Sequence, residues 1–268
     1  MKKFKFKNVD YLGASYTFDV SYQESNDPVI KALLKGDLFG FPNAIQVDRF
    51  TREQNKSTII DCGCHIGTFA IPMNDMGRRV LCIDGNKDNI ACLNETIKQD
   101  RFNEIETFCE ILDKQIRSCN FLSSGPFGRI LHDGDNKRSM SNTIDNMFHE
   151  ENDLSFIKYD LEGGEIDAIL GSEKVIKKYR PGLLVEVNQH CQEENNKSVY
   201  ELFELIEDFG YYIIWPFKDG YFKTNKNNYK IFTSGFVTDV VCIPHEEILN
   251  YMCPCGECFN ISMLKDIV

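Results

Sequence analysis

The stretch STIIDCGCHIG, residues 57 to 67, sets the fold. An apolar run closes on Asp61 and Gly63, which is how a buried strand enters a tight turn. HIGTFAIPMNDMG (65–77) continues with helical character, and Gly77 is placed to end that helix. RRVLCIDGN (78–86) repeats the strand signal, and KDNIACLNETIKQD (87–100) carries Ile90, Leu93 and Ile97 at helical spacing. IETFCEIL (105–112), LSFIKYD (154–160) and GLLVEVN (182–188) read as a third, fourth and fifth strand. A helix is expected from Glu165 to Tyr179, and SVYELFELIEDFG (198–210) is an amphipathic helix. YYIIWPF (211–217) and FVTDVVCIP (236–244) are two further strands, expected as an antiparallel hairpin. Strands alternating with helices predict a doubly wound, mostly parallel sheet.

Outward from this core the signal weakens. Residues 1–50 mix alternating segments such as ASYTFDVSY with a helical stretch, DPVIKALLKGD, and are expected to form an N-terminal extension packed on the core. The catalytic domain is expected over 51–250, with a cysteine-rich tail over 251–268. Residues 113–150 look irregular, with loops at SSGPFG (123–128) and HDGDNKRSMSN (132–142).

Composition narrows the function. The 268 residues carry a formal charge of −11, which disfavours a nucleic-acid or anionic-membrane binder. Eleven cysteines lie scattered without a disulfide framework, and no segment has the length of a membrane span, so a reducing, cytoplasmic protein is expected. Cys253, Cys255 and Cys258 in CPCGEC are one thiolate short of a closed zinc tetrahedron. A cysteine-rich terminal turn is the simpler reading.

In doubly wound sheets, ligands bind beyond the carboxyl ends of the strands. The turn D-x-G-x-x-x-G (Asp61, Gly63, Gly67) has an acid where a dinucleotide fingerprint has its first glycine. An acid there suits a cationic ligand such as S-adenosylmethionine and speaks against a nicotinamide oxidoreductase. Asp84, ending the second strand, is placed to accept the hydroxyls of a ribose.

The segments IIDCGCHIG, LCIDGN, NTIDNMF, FIKYDLEGGEIDAILGS and RPGLLVEVN resemble the FkbM family of class I methyltransferases over about residues 57–190. The family pattern K-x-D-x-E-G-x-E is met by Lys158, Asp160, Glu162, Gly163 and Glu165. The chain departs from it at Cys64-His65, where the family tends to have Ala-Asn, and at Asp84-Gly85, where it often has Glu-Pro. The resemblance implies a Rossmann-like α/β fold: a seven-stranded, mostly parallel sheet with an antiparallel final strand and helices on both faces. It also implies an S-adenosylmethionine-dependent O-methyltransferase. The expected acceptor is a hydroxyl of a saccharide or nucleotide-activated sugar, as in surface polysaccharide biosynthesis. Another small phosphorylated metabolite or a lipid is the alternative acceptor, and a degenerate interaction module is the non-enzymatic one. Asp61, Asp84 and Asp160 together argue against the module.

The cofactor-binding candidates are Asp61, Gly63, His65, Gly67, Asp84, Asn86 and Glu110. The catalytic candidates are Asp160, Lys158 and His190. A sugar hydroxyl needs a base or a cation to become a nucleophile. Asp160 with Glu186 and His190 is one set able to hold Mg²⁺ or Mn²⁺. His190 acting directly as base is another reading, and Asp160 and Glu162 binding the cofactor's amino group or pairing with Lys158 is a third. In the loop LHDGDNKRSM, His132, Asp133 and Asp135 are candidates to face the acceptor, and Lys137 and Arg138 to bind its phosphate. The N-terminal extension is expected to cover the acceptor or to form a homodimer surface.

Overall fold

A computed structural model describes residues 1–5, 9–11, 14–16, 19–23, 27–37, 39–52, 57–98, 102–124, 127–131, 138–217, 220–232, 235, 237–246 and 265–266. Its central sheet is built from β1 (Thr58–Cys62), β2 (Arg79–Ile83), β3 (Ile105–Phe108), β4 (Leu154–Tyr159), β5 (Gly182–Asn188), β6 (Tyr211–Phe217), β7 (Gly220–Thr224), β8 (Val237–Pro244) and β9 (Lys265–Asp266). The spatial order is β3-β2-β1-β4-β5-β8-β6-β7-β9. The first five strands in this order are parallel, and β8 enters antiparallel between β5 and β6.

Each buried strand feeds two cores, because successive side chains point to opposite faces. Ile59, Val80, Phe156 and Leu184 pack on one side of the sheet. They meet α1 (Pro28–Leu34), α2 (Phe41–Thr51), α3 (Ala70–Asp75) and α4 (Lys87–Ile97) through Leu33, Val47, Ile71 and Leu93. Ile60, Leu81, Ile157 and Leu183 pack on the other. There they meet α5 (Ile144–Phe148), α6 (Glu165–Leu170), α7 (Glu173–Tyr179) and α9 (Val199–Asp208); α8 (Gln189–Glu194) follows β5 directly. β1 and β4 are buried along their whole length, which explains why they read as continuous apolar runs rather than alternating ones.

Several sequence expectations change. The helix expected from Glu165 to Tyr179 is two helices, parted at Gly171-Ser172. There the Tyr159 hydroxyl donates to Ser172 Oγ (2.8 Å), which donates to the Ala168 carbonyl (2.6 Å). The last two expected strands are antiparallel neighbours but not a hairpin, since β7 and a 3₁₀ helix at Lys226–Phe232 lie between them. Two strands beyond the expected seven extend that edge. The third strand stops at Phe108, and Ile111–Leu112 joins a separate four-stranded sheet with Ser118–Ser124, Phe127–Leu131 and Arg138–Asn142. Those strands read as loops because they are rich in Ser, Asn and Arg and leave Leu122 and Met140 exposed, so they carry little apolar periodicity. CPCGEC with Cys253, Cys255 and Cys258, and the loop residues His132, Asp133, Asp135 and Lys137, lie outside the described residues.

Candidate active site

The carboxyl ends of β1, β2, β4 and β5 open onto two adjoining cavities, as expected for this topology. The site starts from a register. Lys158 of β4 stands directly opposite Asp61 of β1, so their side chains share a face. Both are buried, and Lys158 Nζ lies 3.2 Å from Asp61 Oδ1 and 2.9 Å from Asp160 Oδ2. Burial alone pulls the Lys158 ammonium down, but Asp160 and Asp61 outweigh it and leave the group well above the ordinary lysine range. Lys158 therefore stays charged, and its chemistry is to hold Asp160 rather than to accept a proton.

The first turn wraps over this pair. The amide nitrogens of Gly63 and Cys64 donate to the Ile83 carbonyl at 2.9 and 3.1 Å. Gly63 is left-handed (φ 82°), and a Cβ there would collide with the backbone carbonyl of Asp160. His65 is also left-handed (φ 49°), which turns its amide towards Asp84 Oδ2 (2.9 Å). Its ring Nε2 lies 2.9 Å from Oδ2 of buried Asp27, the residue that caps α1. Asp84 Oδ1 accepts the Asn86 amide (2.7 Å). Burial raises the Asp84 carboxyl, and these N–H groups oppose the rise.

The second turn, Asp160 to Glu165, bends through Glu162 (φ 52°) and Gly163 (φ 93°). Glu165 ties it shut. Its Oε1 accepts from the Leu161 amide (2.7 Å) and the Gly163 amide (3.3 Å), and its Oε2 from Gln192 Nε2 (2.6 Å). Glu165 is thus structural. The carboxylates that face space are Asp160, Glu162 and Glu186, with one oxygen of each within 4.8 Å of the others. Burial, then Asp160, pushes Glu162 up to about 7, and the same two causes hold Glu186 well above the usual carboxylate range. Asp239 of β8 pairs in register with Glu186, accepts from Asn43 Nδ2 (3.0 Å), and is pushed by burial to about 6.

The first cavity is a narrow cleft from Asp84, Gly85 and Glu110 to Gly63 and Asp160, walled by Ile111, Phe121 and Ile130. The second measures about 400 Å³, within the usual range of roughly 300–1,000 Å³ for small-molecule sites. Gly63, Asp84, Asp160 and Glu162 belong to both.

Of the cofactor candidates, Gly63, His65, Asp84 and Glu110 line these cavities. Asp61 lies beneath them under Lys158, Gly67 packs against Leu93, and Asn86 caps α4 with its side chain. Of the catalytic candidates, Asp160 and Lys158 come together and His190 does not. Asn188 caps α8 and carries His190 onto the outer face of that helix, where its side chain is 78% exposed and its ring lies 3.9 Å from Glu194. Of the three residues expected to hold a cation, Asp160 and Glu186 lie together with Glu162, and His190 lies outside that group. His190→Ala is expected to leave the unfolding free energy within about 0.5 kcal/mol of the parent, the usual result for an exposed residue; a urea titration checks this. Asp27, Asn43 and Asp239 were missed by sequence reasoning. The one available signal was Asp239, a lone acid in the apolar run VTDVVCIP.

Fold and site together define a class I methyltransferase: a mostly parallel sheet with an antiparallel strand inserted beside β5, and acids at the strand ends. The chain matches the methyltransferase FkbM domain over residues 61–213, more than half its length, and belongs to the FkbM methyltransferase family. No curated protein sequence matches the chain significantly. Among solved structures it is similar to methyltransferase FkbM from Methylobacillus flagellatus KT, at 15% identity and a TM-score of 0.48. That match covers 73% of this chain and 47% of the other, so the chain spans about half the length of that relative. It is also similar to magnesium protoporphyrin IX methyltransferase from Synechocystis PCC 6803 with bound SAM, at 10% identity and a TM-score of 0.44, covering 83% and 86%. A third is precorrin-6y C5,15-methyltransferase from Geobacter metallireducens GS-15, at 10% identity and a TM-score of 0.42, covering 75% and 87%. Among the described residues no helix is long and apolar enough to cross a membrane.

Proposed function

We propose that the protein transfers the methyl group of S-adenosylmethionine to a hydroxyl of a saccharide acceptor. The carrying observation is that two cavities meet at Asp160, one ending on Asp84, the acid that follows β2, and the other a separate chamber of about 400 Å³. In this reading the adenine lies in the apolar slot of Ile111, Phe121 and Ile130. Its ribose reaches Asp84, and the cationic methionyl end faces Gly63 and Asp160. The acceptor enters the second cavity. Its oxygen attacks the methyl carbon in line, the sulfur–carbon bond breaks, and the hydroxyl proton passes to a carboxylate of the Asp160, Glu162 and Glu186 group. Alignment of two bound partners supplies most of the rate, since the sulfonium is already activated. The phosphate of a nucleotide-activated acceptor rested on Lys137 and Arg138. Neither side chain is among those described.

A divalent cation is a second reading with its own observation. Three carboxylate oxygens within 4.8 Å of one another suit a hard cation, and Glu186 Oε2 is buried without a hydrogen-bond partner. Bound there, a cation would lower the cost of the developing alkoxide.

Calorimetry with S-adenosylhomocysteine tests the cofactor assignment, and labelled S-adenosylmethionine with a saccharide panel tests the transfer. Binding in the micromolar range, about −8 kcal/mol, is expected; no binding overturns the reading. Loss of activity in chelator with recovery in Mg²⁺ or Mn²⁺ supports the cation, and full activity in chelator removes it.

A further inference from the structure

The second cavity has a charge imbalance that the methyl donor does not relieve. Its walls carry Asp37, Asp84, Asp160, Glu162, Glu186 and Asp239, and its basic side chains are Lys158 and His65. Lys158 is already held between Asp61 and Asp160, and His65 lies against Asp27. The donor's positive end meets the wall shared by both cavities. Glu186 and Asp239 line the second cavity and not the first. Glu186 is 9% exposed, and its Oε2 has no hydrogen-bond partner. Buried carboxylates without a counter-charge are costly, so this corner is built for a ligand that brings one. At the mouth, Phe39 is 47% and Val237 59% exposed, beside Val29 and Pro42. An acidic floor under an apolar rim fits a molecule with a cationic group and a C–H face.

We propose that the acceptor is an amine-bearing saccharide, with its ammonium seated between Glu186 and Asp239 and its ring against Phe39. The proposal rests on the methyltransferase reading above and specifies its substrate. It also accounts for selection: a phosphate in this cavity would meet six carboxylates, a repulsion that rejects phosphorylated relatives of the acceptor.

The test uses the full chain saturated with S-adenosylhomocysteine. Calorimetry compares methyl 6-amino-6-deoxyhexosides, methyl hexosides and methyl hexoside 6-phosphates in the gluco, galacto and manno series. An amine member is expected to bind at least about tenfold tighter than its neutral counterpart, the worth of one charge-assisted hydrogen bond, with no detectable binding of the phosphate. Glu186→Gln and Asp239→Asn should each erase that preference while S-adenosylhomocysteine binding persists, which shows that the variants are folded. Equal binding of amine and neutral sugars, tighter binding of a phosphate, or no binding of any amine member overturns the proposal. So does Mg²⁺ binding that displaces the amine. Failure of S-adenosylhomocysteine itself to bind would instead refute the methyltransferase reading.

Discussion

Lys158→Met should lower the unfolding free energy by about 3–5 kcal/mol, the usual cost of breaking a buried ion pair from one side. The reason is the asymmetry around the ammonium. Asp160 reaches solvent and can be rehydrated, whereas Asp61 is fully buried and would keep a carboxylate with no counter-charge. Urea titration reads the loss as a lower midpoint with an unchanged slope. Asp61→Asn combined with Lys158→Met should recover much of it, because the stranded charge is gone. A single variant as stable as the parent would mean that Asp61 is already neutral and that Lys158 does not hold Asp160.

Gly63→Ala should cost about 3 kcal/mol or more and abolish binding of S-adenosylhomocysteine. Two effects add here. An alanine at φ 82° is strained in itself, and its Cβ would be driven into the Asp160 carbonyl. That carbonyl belongs to the backbone, so no side-chain rotation relieves the clash. The first turn must back away from β4, and the gap between Gly63 and Asp160 is where the cleft and the larger cavity meet. Thermal denaturation and calorimetry on the same sample separate the two losses. Wild-type affinity for S-adenosylhomocysteine in this variant would show that the cofactor does not use the turn.

The fold was legible wherever burial was complete. β1, β4 and β5 carry apolar runs that end on Asp61, Tyr159 and Asn188, short enough and rich enough in Ile and Val to read as buried strands. The small sheet over 111–142 was not legible, because a half-exposed strand of Ser, Asn and Arg looks like a loop. In the site, Asp160, Lys158 and Gly63 could be found because a motif fixes their spacing along the chain. His190 was misplaced for a physical reason. Its position two residues past β5 suggests an inward side chain, but the chain turns into α8 at Asn188 and rotates it outward. Asp239 and Asn43 are 196 residues apart in sequence and meet only once β8 is inserted beside β5. No local pattern announces such a meeting.

The two cavities differ in where along the chain their walls come from as well as in shape. The first cavity is lined by residues between 63 and 195, inside the stretch that matches the FkbM domain. Much of the larger chamber is not. Val29, Asp37, Phe39, Gly40, Pro42 and Asn43 form one wall from before that stretch, and Val237, Thr238 and Asp239 form another from beyond it. In the proposed reading, the family domain supplies the donor side of the site and the flanking segments shape the acceptor side. In that reading, changes at Phe39, Asn43 and Val237 would alter the choice of acceptor while Asp27 keeps its place against His65.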